Sequence, residues 1–125
     1  MTRRPNPDPS APRRYKNFTP RMGVYTVRHL PSGRTLLDWS HHVDGSLNRH
    51  RFQLQAGLHP NKRLQADWNA DGEGAFRFEV MDELARDPAR PDEAGHTDDL
   101  RELEALWREK LALPSELSYG PPSNR

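Results

Sequence analysis

Glu104, Arg51 and Tyr25 are side chains whose chemistry does not suit the places their neighbours give them. Glu104 falls at helical spacing among Leu100, Trp107 and Leu111, on the inward edge of an otherwise apolar stripe. A carboxylate aimed into a half-buried site suits a divalent metal, which prefers oxygen ligands. The same carboxylate also suits an ion pair four residues on with Arg108, or with Arg101 a turn earlier, contributing about 0.2–0.5 kcal/mol. Arg51 is flanked by Leu47, Leu54 and Leu58, with His50 beside that stripe and Arg49 on a more polar side. A long side chain there can snorkel to water. From His41 to Arg63 the chain holds His41, His42, Arg49, His50, Arg51, His59, Lys62 and Arg63 against Asp44. Such a basic patch is what phosphate contact requires. A zinc site from His42, His50 and His59 lacks any recognised ligand spacing. Tyr25 stands on a strand, where aromatics commonly pack. These groups place a phenol, imidazoles, guanidinium groups and a carboxylate on four separate elements.

The elements that must position them are legible. Val24 to His29 and Arg34 to Trp39 make a hairpin around "PSG". "VDGSLNRHRFQLQAGL" reads as a helix capped by Asp44 or Ser46, with Leu47, Leu54 and Leu58 inward and Gly57 near its end. "HPNKRLQADWNADG" reads as a second, capped by Asn61, apolar at Leu64 and Trp68, and stopped by Gly72. In "AFRFEVM", Phe76, Phe78 and Val80 alternate with Arg77 and Glu79, the period of a strand with one buried face. After a polar, proline-broken loop, "TDDLRELEALWREKLAL" is a helix with Thr97 as cap and Asp98 and Asp99 at its positive end. Its stripe is Leu100, Leu103, Trp107 and Leu111. The order strand, strand, helix, helix, strand, helix predicts one small α+β domain over residues 21–113.

Composition agrees with so short a core. Only 33% of the 125 residues are hydrophobic and 12 are proline, so packing must be concentrated in part of the chain. The net charge of +1 divides unevenly: residues 1–20 carry Arg3, Arg4, Arg13, Arg14 and Lys16 against Asp8, leaving an acidic remainder. That tail is expected to be disordered, as is 114–125, and it serves either solubility or loose phosphate contact. No cysteine is present, which excludes disulfides and thiolate metal sites and permits a reducing, cytoplasmic setting. The N-terminus lacks the apolar region of a secretory signal, and no apolar run is long enough to span a membrane.

Taken together, the pattern resembles the GIY-YIG endonuclease superfamily. Gly23-Val24-Tyr25 matches the first motif. Gly57-Leu58-His59 matches a Gly-x-His turn ahead of a helix bearing Leu-Gln, an aromatic and a closing glycine. Glu104 and Trp107 match an E-x-x-W segment on the final helix. The likeness covers residues 22–112. It implies a three-stranded antiparallel sheet flanked by helices, and hydrolysis of a nucleic-acid phosphodiester, DNA rather than RNA, with one Mg²⁺ or Mn²⁺. It further implies Glu104 as metal ligand, Tyr25 at the reaction centre as general base, and His50 and His59 in or near the site. An arginine on the first helix would hold the phosphate. A guanidinium fork matches phosphate geometry, and Arg49, Arg51, Lys62 and Arg63 are the expected nucleic-acid contacts.

Two departures stand beside that likeness. The second motif should read Tyr-x-Gly, where this chain has Leu36-Leu37-Asp38. The helix arginine belongs at Ser46, and Arg49 follows three residues later, rotated by about 60°. Arg49 substitutes only if "SHHVDG" holds an insertion. An alternative expectation is therefore a degenerate, non-catalytic domain that binds nucleic acid or a protein. A third is an accessory interaction module working through its tails.

Overall fold

The computed structural model describes residues 20–86, 89 and 93–120. The basic segment up to residue 19 and residues 121–125 lie outside the described residues. Strands β1 (Met22–His29), β2 (Thr35–Ser40) and β3 (Phe76–Leu84) form an antiparallel sheet in the order β2-β1-β3. Helices α1 (Val43–Ala56), α2 (Lys62–Asp71) and α3 (Thr97–Leu111) complete the expected α+β order. Among the described residues no helix is long and apolar enough to cross a membrane.

The pleat divides the core in two. On one face Val27, Leu36, Phe76 and Phe78 meet Leu47 and Leu54 of α1 and Leu64 and Trp68 of α2. On the other, Met22, Val24, Leu37 and Trp39 meet Leu100, Leu103, Trp107 and Leu111, so α3 packs opposite the other two helices. Each fully buried side chain of this size contributes about 1.5–3 kcal/mol. Leu58, expected inward, is 73% exposed, because α1 ends at Ala56 and Gly57 turns the chain left-handed at φ 77°. Glycine takes that conformation without a Cβ penalty. Gly23 serves a different need. A Cβ there would stand 2.0 Å from the Asp82 carbonyl oxygen, where the β1–β3 register shifts between Val24 and Tyr25.

Two expected caps are replaced by tertiary contacts. Neither Asp44 nor Ser46 caps α1, whose N-cap is His42. Asp44 instead accepts two hydrogen bonds from Arg21, at 2.6 and 3.0 Å, and Ser46 Oγ donates to Ser40 Oγ at 2.7 Å. Thr97 is the first residue of α3 rather than its cap, and its hydroxyl meets His41 Nε2 at 3.1 Å. Asn61 does cap α2, accepting from Leu64 N–H at 3.0 Å, and Gly72 closes that helix.

The chain does not end its ordered course at 113. Residues 114–120 turn through a short 3₁₀ helix, Ser115–Leu117, and Ser118 bridges to Thr35 in parallel. Tyr119 is buried in the α1–α2 core, and its hydroxyl donates to Asp67 at 2.6 Å. An aromatic ring and a buried hydrogen bond anchor a segment that composition alone marks as a tail. The hairpin turn is fixed to α2 in a similar way: His29 lies between Ser32 Oγ and Asp71 Oδ2, each 2.7 Å away.

Candidate active site

Tyr25 sits at the centre of β1 on the face covered by α1, fully buried. Helical periodicity turns Val43, Ser46, His50 and Leu54 of α1 to the same side, and all four are buried. His50 Nε2 therefore reaches the Tyr25 phenol oxygen at 2.9 Å. His59 lies past the end of α1, in the turn before α2, and its Nε2 is 2.8 Å from His50 Nδ1, with the two rings stacked. Tyr25, His50 and His59 thus form a continuous hydrogen-bonded row, as the grouping of these residues in one site requires.

The turn that carries His59 is clamped from three sides. His59 N–H donates to Gln65 Oε1 at 3.0 Å, and Gln65 Nε2 donates to the Leu54 carbonyl and to Asn69 Oδ1. Asn61 N–H donates to His59 Nδ1 at 3.0 Å. In the sequence Gln65 stands out only as the Gln of the Leu-Gln pair that resembles the family, and Asn61 only as a cap. The available signal was the placement of Gln65 beside Leu64 and three residues before Trp68, on the buried face of α2. Burial pushes the His59 imidazole below its ordinary range, reinforced by the nearby Arg49 charge.

The expected cations divide. Arg49 is exposed, lies close enough to His59 to act on it electrostatically, and makes no hydrogen bond or ion pair among the described residues. Lys62 is likewise exposed and unengaged, while Arg63 donates to the Glu116 carbonyl at 3.2 Å. Arg51 is turned away from the row. Its guanidinium lies 4.4 Å over the Phe78 ring and 3.3 Å from Glu73, so its charge is used in packing.

The two departures from the family pattern both line the row. Asp38 is directly opposite Tyr25 in the β1–β2 register, is 2% exposed, and accepts from Trp39 N–H at 2.8 Å. Ser46 is also buried, its hydroxyl spent on Ser40.

Glu104 is buried on α3, across the sheet from Tyr25, and its Oε2 pairs with Arg108. Arg108 also reaches the Leu37 carbonyl at 3.5 Å, so the pair lies against β2 from the α3 side and is not part of the Tyr25 row. Among the described residues no three histidine, aspartate or glutamate side chains converge to hold a metal ion. The two imidazoles cannot serve as zinc ligands as they stand, because both ring nitrogens of each are engaged in hydrogen bonds. Among the described residues Glu104 Oε1 makes no hydrogen bond or ion pair. One carboxylate oxygen fits Mg²⁺ or Mn²⁺, since such ions draw their other ligands from water and substrate phosphate.

No family model and no curated protein matches the chain. Two solved structures do: the catalytic domain of the homing endonuclease I-TevI, and a point mutant of the catalytic domain of the intron endonuclease I-TevI. Both superpose with a TM-score of 0.61 at 18% sequence identity and cover 80% of this chain. They are themselves covered to 99% and 92% respectively. With the strand order, the three helices and Gly23-Val24-Tyr25 on the central strand, this chain has the fold of the GIY-YIG endonuclease catalytic domain.

Proposed function

We propose that this domain hydrolyses a phosphodiester bond of nucleic acid, with DNA as substrate. The observation that carries the reading is the Tyr25–His50–His59 row, at 2.9 and 2.8 Å, on a nuclease-domain fold. In the reaction, the Tyr25 phenol oxygen is the proposed acceptor of the proton that the attacking water gives up, and the leaving nucleotide oxygen takes a proton from solvent. The water oxygen forms a bond to phosphorus, and the phosphorus–oxygen bond to the leaving nucleotide breaks. The N–H of His50 aimed at the phenol oxygen stabilises negative charge on that oxygen. Arg49, exposed beside the row, contacts the phosphate, and Lys62 and Arg63 extend the basic track along α2. A bound Mg²⁺ or Mn²⁺ would supply charge neutralisation at the phosphate, with Glu104 Oε1 as its carboxylate ligand.

A second reading, binding without cleavage, is favoured by one specific observation. Asp38 stands buried across from Tyr25, and Ser46 occupies the helix position where the family carries its arginine. A carboxylate in that place repels phosphate. Nicking of supercoiled plasmid in Mg²⁺ or Mn²⁺ separates the two readings. Nicking that is lost in Tyr25→Phe supports the nuclease. Salt-dependent DNA binding with no nicking in either metal replaces it with the binding domain.

A further inference from the structure

Asn61 makes three contacts at once. Its Oδ1 accepts from Leu64 N–H at 3.0 Å, its Nδ2 donates to the Tyr119 carbonyl at 2.6 Å, and its backbone N–H donates to His59 Nδ1 at 3.0 Å. The first two fix the residue between the start of α2 and the segment 114–120. The third has a chemical consequence. A backbone N–H can only donate, so His59 Nδ1 carries no proton. The His59 proton is therefore on Nε2, which donates across 2.8 Å to His50 Nδ1. That leaves the His50 proton on its own Nε2, which donates across 2.9 Å to the Tyr25 oxygen. The opposite order would place two hydrogens between Asn61 N and His59 Nδ1, which are 3.0 Å apart.

We propose that Asn61, held by the C-terminal segment through Tyr119, is a positioning residue that sets the proton order of the row, so that both imidazoles donate toward Tyr25. The row then steadies charge on the phenol oxygen and does not carry protons away from it, because its far end is closed by a donor. The anchorage of Asn61 is independent of Asn61 itself: Tyr119 is buried, its N–H donates to the Thr35 carbonyl at 3.1 Å, and its hydroxyl donates to Asp67. The catalytic consequence rests on the nuclease reading above, whereas the proton order rests on the geometry alone.

The test is long-range ¹H–¹⁵N correlation on the full chain labelled at histidine nitrogens, at a pH above the imidazole range. The expected result is that His50 and His59 each show a protonated Nε2 and a bare Nδ1. A protonated Nδ1 on His59, or an imidazolium at either residue, overturns the proposal. Asn61→Ser retains a capping oxygen but cannot reach Tyr119, and Tyr119→Ala releases the segment. In either folded variant the His59 nitrogen signals should move toward tautomer-averaged positions while those of His41, whose Nε2 meets Thr97 on α3, stay unchanged. Wild-type signals retained at His59 in both variants overturn the role of the C-terminal segment. Absence of nicking with the expected tautomers counts against the nuclease reading and leaves the proton order standing.

Discussion

The phenol oxygen of Tyr25 on β1 and Nε2 of His50 on α1 are 2.9 Å apart, although 25 residues separate them in the chain. The contact exists because β1 is the central strand and because α1 turns Ser46, His50 and Leu54 toward it. Tyr25→Phe keeps the packing and removes the acceptor. Nicking should fall by about 10²-fold or more, with a stability cost of about 1–3 kcal/mol for the donor left unmatched. Plasmid nicking paired with urea unfolding reads both quantities. Undiminished cleavage by this variant would remove Tyr25 from the reaction.

Asp38 and Ser46 offer a gain-of-function test. Ser46→Arg with Asp38→Gly places a guanidinium at the family position and removes the facing carboxylate. If that surface binds the scissile phosphate, Mg²⁺-dependent nicking should rise by about 10²–10³-fold, the range for one positioned donor. If Arg49 already does this work, the double variant gains nothing and Arg49→Ala abolishes cleavage of the wild-type chain. A Glu104→Gln control run alongside excludes contaminating nucleases. Nicking that survives Arg49→Ala and shows no response to the double variant would place the phosphate elsewhere.

Glu104→Gln should abolish Mn²⁺ binding measured by calorimetry. The Arg108 partner is 39% exposed and stays hydrated when the charge is lost. Gln keeps an acceptor oxygen for Arg108 at this buried position, so the stability cost should remain about 0.5–1.5 kcal/mol. Equal Mn²⁺ affinity in the two proteins would contradict the metal role.

Salt dependence separates the contributions to DNA binding. Losing one phosphate contact lowers the slope of log K against log[salt] by about 0.9 for duplex DNA. Arg49→Ala should produce a change of that size. Removing residues 1–20, with five basic side chains against Asp8, should produce a larger one. A slope unaltered by the deletion would assign the tail to solubility.

Acid should weaken the fold through His59. Burial holds its folded-state value below the ordinary 6.5, so the unfolded chain takes up a proton first as pH falls. The stabilisation is fully present above about pH 6.5 and is lost progressively as pH drops toward the folded-state value. Urea midpoints should accordingly fall between neutral and mildly acidic pH, and His59→Gln should flatten that part of the profile. Identical profiles for the two proteins would mean that His59 protonates without cost in the folded state.

Sequence by itself determined the elements and their order, because hydrophobic period, glycine stops and the Asn61 cap are local signals. It also singled out Tyr25, Arg51 and Glu104, whose types fit their neighbours poorly, while His50 and His59 entered the site through the family resemblance. Boundaries and caps were less legible: Asp44 and Ser46 look like helix caps until Arg21 and Ser40 claim them. The leucine stripe already set Arg51 beside the apolar face and Arg49 on the polar one, but only tertiary packing supplied the Phe78 ring over which Arg51 lies. The same holds for Tyr119, whose polar, proline-rich surroundings conceal a buried ring. The order of protons in the row was beyond any local reading. It follows from a backbone N–H meeting a side-chain nitrogen, and such a meeting is created only when the turn between α1 and α2 is folded and clamped.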